Sequence, residues 1–284
     1  MNVPPLIRIF SDLHFGDRAS SLQRLDQLRP LFDGVGRLVL NGDTLDTRPG
    51  PAPEHTAATR AEVSRFFAAS APPTTFVTGN HDPEFAPDDF LTFAADAVLV
   101  IHGDILFDNI VPWSNDAPRL AAMIAAEFAR LPPAAPDRLE TRLGVLRRVA
   151  FALPQRHHSE RRQLRYLLHY LADTVWPPSR FLKVIDAWRT TPTRAENLVR
   201  RHRPGTRFIV TGHTHYPGVW RRPSGLVVVN TGSFCLPLGA CCVDLTASAL
   251  TVRRIERRGG TYHPGRTVAA FPLAPSADFG TTAP

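Results

Sequence analysis

Lysine is nearly missing from this chain. Lys183 is the only one in 284 residues, and arginine carries the remaining positive charge. A coding preference for Arg, Ala and Pro accounts for that swap. Cysteine is scarce as well. Cys235, Cys241 and Cys242 are odd in number and lack zinc-type spacing, which argues against a disulfide framework or a zinc knuckle. Three reduced, structural thiols are expected. No apolar run nears the ~20 residues of a membrane span. The opening stretch, MNVPPLIRIFSD, lacks the basic-then-apolar order of a secretory signal. The reading is a cytoplasmic protein. Neither an internal repeat nor a single-strand-binding signature is present. What remains is a hydrophobic fraction of 43% and a charged fraction of 21%, values of a soluble globular chain. Its length suits one large domain, or one domain with an insertion.

The net charge of +7 is unevenly spread. Residues 119–203 hold 17 Lys and Arg against 7 Asp and Glu. Coding bias does not explain that clustering. A basic segment attracts anionic phosphate compounds, and its Arg-rich faces are compatible with peripheral contact at a membrane surface.

Short apolar runs at 6–10, 37–40, 74–78 and 97–101 predict buried strands. Helix-like stretches, SSLQRLDQLRPLF and HTAATRAEVSRFFAAS, lie between the first three. Strands alternating with helices predict an α/β sheet with its site at the strands' carboxyl ends. Residues 113–205 show no strand pattern and predict four or five helices, broken at LPPAAP, ALPQ, WPPS and TTPT. The clearest, 160–175, carries an apolar stripe of Leu164, Leu167, Leu168, Leu171 and Val175. Strand patterns return at 207–210, 226–230, 240–245 and 249–256. The expected organisation is a core in two parts, 1–112 and 206–260, a basic helical insertion (113–205) acting as a cap, and an extended tail (261–284).

Each strand end carries polar residues: Asp12 and His14, Asp43 and Asp46, Asn80, His81 and Asp82, His102 and Asp104, His213 and His215. Any one pair reads as an ordinary turn, since Asn, Asp and Gly favour turns. Five such clusters, each just past an apolar strand, are hard to reconcile with chance. Carboxylate, amide oxygen and imidazole are donors for Mn, Fe(II) or Zn.

In order these motifs read DLH, GDTLD, GNHD, HGD and GHTH. The set resembles the calcineurin-like metallophosphoesterase superfamily, and VNTGSFCLP resembles the loop that follows, with Thr231 in the proline position. The resemblance covers 1–112 and about 206–245. It implies an α/β fold, a four-layer α-β-β-α sandwich of two mixed sheets, here with a helical insertion. It also implies two divalent ions, Mn first with Fe or Zn as alternatives. Asp12, His14 and His215 would hold one ion and Asn80, His102 and His213 the other, bridged by Asp43. Two such ions ~3.5–4 Å apart suit in-line attack by a shared hydroxide on a phosphoester or diphosphate. His81 would face the substrate as proton donor or charge stabiliser, with Asp82 orienting it. Asp46 and Asp104 are placed behind the ligand histidines.

The position of HGD and the helical insertion look like the branch of UDP-2,3-diacylglucosamine hydrolases, whose insertion holds acyl chains. Those enzymes carry Arg where this chain has His81, which weakens transfer of their substrate. The expected partner is an anionic phosphate compound, a nucleotide-sugar or lipid-linked one. A nuclease or general phosphodiesterase is the alternative enzyme, and an inactive scaffold on the same fold is the remote one. In the insertion, Phe151, Tyr166, Tyr170, Trp176 and Trp188 supply apolar material for an amphipathic substrate.

Overall fold

Nearly every strand residue at the centre of this protein is buried on whichever side it faces. The computed structural model describes residues 6–155 and 178–273. Among these, β1 (Ile7–Phe10), β2 (Arg37–Asn41) and β3 (Thr74–Val77) lie parallel in a six-stranded sheet. β9 (Cys241–Leu245), β10 (Ala249–Arg258) and β11 (Thr261–Pro272) complete it antiparallel, in the order β11-β10-β9-β1-β2-β3. A second sheet runs β4-β5-β6-β8-β7. It comprises β4 (Phe90–Phe93), β5 (Val98–Ile101), β6 (Phe208–Thr211), β7 (Gly218–Arg221) and β8 (Val227–Asn230). There β5, β6 and β8 are parallel and the two edges antiparallel.

Period-2 alternation explains why two sheets form from such apolar runs. Ile7, Ile9 and Val39 point into one cluster with Val98, Val100, Phe208, Val210, Val227 and Val229, the seam between the sheets. Phe10, Leu38 and Leu40 point the other way, onto Leu25, Leu28, Leu31, Val63 and Phe67. These last belong to a 3-10 turn (Leu25–Leu31) and to α1 (Pro53–Ser70). Leu99, Ile101, Ile209 and Val228 face the opposite outer layer. The result is the expected four-layer α-β-β-α sandwich of two mixed sheets.

That outer layer changes the meaning of the insertion. α2 (Ala117–Ala129), α3 (Leu139–Phe151) and α4 (Pro178–His202) supply Leu120, Ile124, Leu143, Leu146, Ala195 and Leu198 to the cluster covering the second sheet. These helices are therefore the fourth layer itself, not only a cap placed upon a finished core. The expected helix at 160–175 lies outside the described residues, as do Tyr166, Tyr170 and Trp176.

Three further differences have local causes. The first helix-like stretch forms a short 3-10 turn, Leu25–Leu31, with Pro30, which has no N–H to donate, one residue before its end. α4 runs through TTPT instead of breaking there. Pro192 is buried, and the neighbouring Thr191 hydroxyl donates to the Ala187 carbonyl at 2.7 Å, so packing and a local bond hold the turn together. Residues 261–272 of the expected tail form β11, whose Tyr262 and Phe271 enter two of the cores. β4 carried no sequence expectation; its four residues are all buried.

One ion pair lies under the first sheet. The Arg8 guanidinium donates to both Asp244 oxygens at 2.6 and 2.8 Å and to the Leu31 carbonyl at 2.8 Å, and it is 3% exposed. Arg8→Met is expected to leave Asp244 buried and unpaired, at a cost of about 3–5 kcal/mol. Urea melts check this, and a loss below ~1 kcal/mol would show that water reaches the pair.

Candidate metal centre

The six loops that follow β1, β2, β3, β5, β6 and β8 all leave the carboxyl ends of parallel strands, and they meet where the two sheets face each other. Asn41 ties the sheets at that seam: its amide donates to the carbonyls of Ile101 (3.0 Å) and Val210 (3.2 Å). Asn230 ties the last two loops, donating to the Gly212 carbonyl at 2.6 Å and accepting from the Gly232 N–H at 2.8 Å.

Five of the seven expected ligands have backbones in the left-handed region: Asp12 (φ 54°), His14 (45°), Asp43 (51°), His213 (66°) and His215 (56°). Non-glycine residues rarely sit there, and each such position costs roughly 1–3 kcal/mol. Strain concentrated on the ligands is held in place by surrounding bonds. The Asp12 N–H donates to the Gly42 carbonyl and the His14 N–H to the Asp43 carbonyl, both at 3.0 Å. Glycines give the close approach. A Cβ on Gly42 would strike the His102 ring, one on Gly79 the Asp43 carboxylate, and one on Gly212 the Asp12 carboxylate.

The side chains gather in two groups. In the first, His215 Nε2 stands 3.2 Å from Asp12 Oδ1 and 3.1 Å from His14 Nε2. In the second, ligand atoms of Asp43, His102 and His213 fall within 4.8 Å of one another. Asp43 joins the two, its Oδ2 lying 3.3 Å from His102 Nε2 and 3.7 Å from His14 Nε2. The GHTH histidines thus part company: His213 turns to one group and His215 to the other.

Protein contacts fix the ring tautomers. His102 Nδ1–H donates to the Asn41 carbonyl at 2.9 Å, which leaves the Nε2 lone pair free. His213 Nε2–H donates to the Ile110 carbonyl at 2.8 Å, which frees Nδ1. Backbone carbonyls do this work, not Asp46 or Asp104. Two buried atoms of the expected ligands, Asn80 Oδ1 and His102 Nε2, have no hydrogen-bond partner. Orphaned buried acceptors are costly, and a divalent cation is the partner that satisfies an amide oxygen and an imidazole lone pair together. The residues present therefore fit two metal ions.

Burial and mutual charge set the titration of the metal-free site. Burial pulls the His14 imidazole down, but Asp12 and Asp43 outweigh it and its pKa rises to about 9. His213 falls to about 3 through burial and the nearby His102. Burial and the Asp43 charge lift Asp82 to about 7, and burial lifts Asp104 to about 6. At neutral pH an ion must displace the His14 proton. Affinity at that group should rise with pH, about tenfold per unit for one proton, and flatten near pH 9. Calorimetry in buffers of different ionisation enthalpy checks this, and uptake without proton release at pH 7 contradicts it.

His81 stands at the rim, its side chain 29% exposed and its ring edge-on to His14 at 4.9 Å. The expected partner, Asp82, is elsewhere. Its carboxylate accepts the N–H groups of Gly79 (2.7 Å), Asp43 (3.0 Å) and Thr44 (2.7 Å), so it locks the GNHD loop to the GDTLD loop. His81 Nδ1 instead meets Asp46 Oδ2 at 3.1 Å and an Arg48 N–H at 2.8 Å. Arg48 in turn forks onto Asp46 at 3.0 and 2.6 Å. Nδ1 thus faces a donor, the Arg48 guanidinium, and an acceptor, the Asp46 carboxylate, which together hold the ring and leave Nε2 as its other polar atom. Burial and the Arg48 charge both lower the His81 pKa. Arg48 was missed in the sequence because nothing distinguishes an arginine two residues past a motif.

The insertion is fastened to this rim at both sides. The Gln155 N–H donates to the Pro49 carbonyl (2.7 Å) and its amide to the Asp46 carbonyl (2.9 Å). On the far side, the Trp188 indole donates to the Thr214 carbonyl at 2.9 Å and stacks on Tyr216 at 4.7 Å.

Two mixed sheets facing across donor sets joined at one carboxylate define a double-sheet α/β protein whose side-chain clusters could hold metal ions. A sequence model of the calcineurin-like phosphoesterases matches residues 6–217, and the chain belongs to that family. No curated protein sequence matches it. Vacuolar Protein Sorting 29 of Cryptosporidium parvum is 13% identical, with 95% of this chain and 100% of that one covered at a TM-score of 0.46. A dimetal phosphatase of Danio rerio is 15% identical, with 97% and 100% covered, also at 0.46.

Proposed function

We propose that the protein hydrolyses a phosphoester or diphosphate bond with two divalent ions, held by Asp12, His14 and His215 on one side and by Asn80, His102 and His213 on the other. The observation carrying this reading is the shared carboxylate of Asp43, flanked by unpartnered Asn80 Oδ1 and His102 Nε2. Two ions supply Lewis acidity and lower the pKa of water from 15.7 to roughly 7. Asp43 would be the carboxylate common to both. Arg48 and Asp46 hold the His81 ring at Nδ1, and Nε2 is the atom from which His81 would donate a proton to the departing oxygen. Manganese is the proposed ion, since oxygen and imidazole donors dominate.

The substrate we infer has an apolar arm, as a lipid-linked phosphate or acylated nucleotide-sugar does. A cavity of about 320 Å³ lies among Ile105, Phe107, Ile124, Phe128 and Leu146, with Arg142 also lining it. The Phe107 ring, which lines the cavity, is 5.8 Å from the His213 ring and stands between the cavity and the donor groups. Charge argues less strongly than composition suggested. Arg147 pairs with Asp89, Arg148 with Glu127 and Arg203 with Glu140, so part of the basic excess is committed to the fold. Arg161, Arg162 and Arg165 lie outside the described residues.

Deleting the insertion cannot test this, because the second sheet would lose its outer cover. Manganese-loaded protein should be assayed on bis-p-nitrophenyl phosphate, p-nitrophenyl phosphate, UDP-sugars, long-chain lipid phosphates and single-stranded DNA. Hydrolysis should require metal and favour the substrate with an apolar arm. Ala121→Phe, which fills the cavity, should raise KM for that substrate by roughly tenfold while the small diester changes little; one or two lost methylene contacts are worth that much. Full activity in chelator overturns the metal reading. An unchanged KM, or a preference for DNA, overturns the apolar arm.

A further inference from the structure

The loop after β8 brings a thiol to the first donor group. Cys235 Sγ and ligand atoms of His14 and His215 all lie within 4.8 Å of one another. Cys235 is 5% exposed, as is His14, so the thiol faces the inside of the centre. Its loop is bonded to the backbone of a ligand: the Phe234 N–H and the Ser233 hydroxyl both donate to the Asp12 carbonyl, at 3.1 and 3.2 Å. The Cys235 N–H donates to Ser233 Oγ at 2.9 Å, and a bridge between Ser20 and Cys235 fixes the other side. Asp12 Oδ1 lies 3.2 Å from His215 Nε2, so an oxygen adjoins the two imidazoles that the sulfur approaches. The other two cysteines do not share this position. Cys241 belongs to the seam between the sheets and Cys242 to the layer under α1.

We propose that Cys235 is a further donor to the ion held by Asp12, His14, His215 and the shared Asp43, which makes the two pockets chemically unequal. The inference rests on the two-ion reading above. Sulfur with imidazole and carboxylate selects zinc or Fe(II), whereas the Asn80 pocket offers an amide oxygen in that role and takes a harder ion such as manganese. Bonds of about 2.0–2.3 Å bring neighbouring donor atoms to roughly 3–4 Å of one another, so a thiol shift of about 1 Å adds the sulfur to the set. In forming the bond the S–H proton leaves to water and the sulfur lone pair goes to the ion. The sequence reading of three purely structural thiols is then too simple for Cys235, and the expectation of manganese in both pockets gives way to a mixed pair.

The test uses the full chain, wild type and the Cys235→Ser and Cys235→Ala variants, each loaded with Co(II). Wild type should bind two ions and show a thiolate-to-cobalt charge-transfer absorption. Both variants should lose that band while keeping at least the second ion. Their zinc-over-manganese preference at the first pocket should fall roughly 10–100-fold, the range that supporting groups alone command. Two cobalt ions bound in wild type with no charge-transfer band overturns the thiol donor and leaves the two-ion reading intact. Failure of wild type to bind cobalt, zinc or manganese overturns both.

Discussion

Asp43→Asn is expected to lose most of the bound metal and essentially all hydrolysis. Its carboxylate is the one group common to both donor sets, with Oδ2 3.3 Å from His102 Nε2 and 3.7 Å from His14 Nε2. The amide keeps the shape and can still accept the His81 N–H at Oδ1, a bond of 2.8 Å in the native protein. What disappears is the negative charge between two cations. Supporting groups around a metal are worth roughly 10–100-fold in affinity, and a shared direct ligand should exceed that at both sites. Metal analysis of purified protein should fall from about two ions per chain toward none. A variant with full metal content and full activity would sink the assignment.

His81→Ala should behave in the opposite way with respect to metal. A ring nitrogen lies within 4.8 Å of ligand atoms of His14 and Asp43, but Nδ1 is engaged by Arg48 and Asp46 and the side chain stands at the rim. A guanidinium at 2.8 Å also makes that nitrogen a poor place for a cation. Metal content should stay near normal while kcat falls by about 10²–10⁴, the usual range for a lost proton donor. A better leaving group needs less protonation, so it should shrink the defect. Loss of metal in step with activity would make His81 a ligand instead.

Much of this site was readable before any coordinates. Strand runs ending in polar clusters marked the loops, and the family resemblance pointed within them to Asp12, His14, Asp43, Asn80, His102, His213 and His215; all but Asn80 are seen in the two gathered groups, and Asn80 Oδ1 is buried without a hydrogen-bond partner. What sequence could not carry was orientation. Pleat alternation suggests that His213 and His215 point the same way, but both lie at left-handed φ beyond the strand, and they diverge. Asp82 looked like a partner for its neighbour His81, yet its three backbone bonds turn it inward. Asp46 and Arg48 fill that place from another loop, a pairing across 33 to 35 residues that no local pattern encodes. The outer helical layer was misjudged for a similar reason. Helical periodicity shows an apolar stripe but not the sheet it will cover, and α2 to α4 cover β5, β6 and β8.

The pairing of β1 with β9 joins Ile7 to Leu245. A ladder closed over nearly the whole chain makes assembly slow, because loop closure must be met before any contact rewards it. During synthesis, β1, β2 and β3 emerge early, but β1 keeps one edge bare until residue 245 has left the ribosome. Through that interval Ile7, Ile9 and Val39 lack much of their eventual cover, and an unpaired apolar edge is an aggregation hazard. Overproduced protein should therefore partition into inclusion bodies more at high translation rates than at low ones. Stops placed before β9 should yield insoluble chains even though every metal ligand is already present in them.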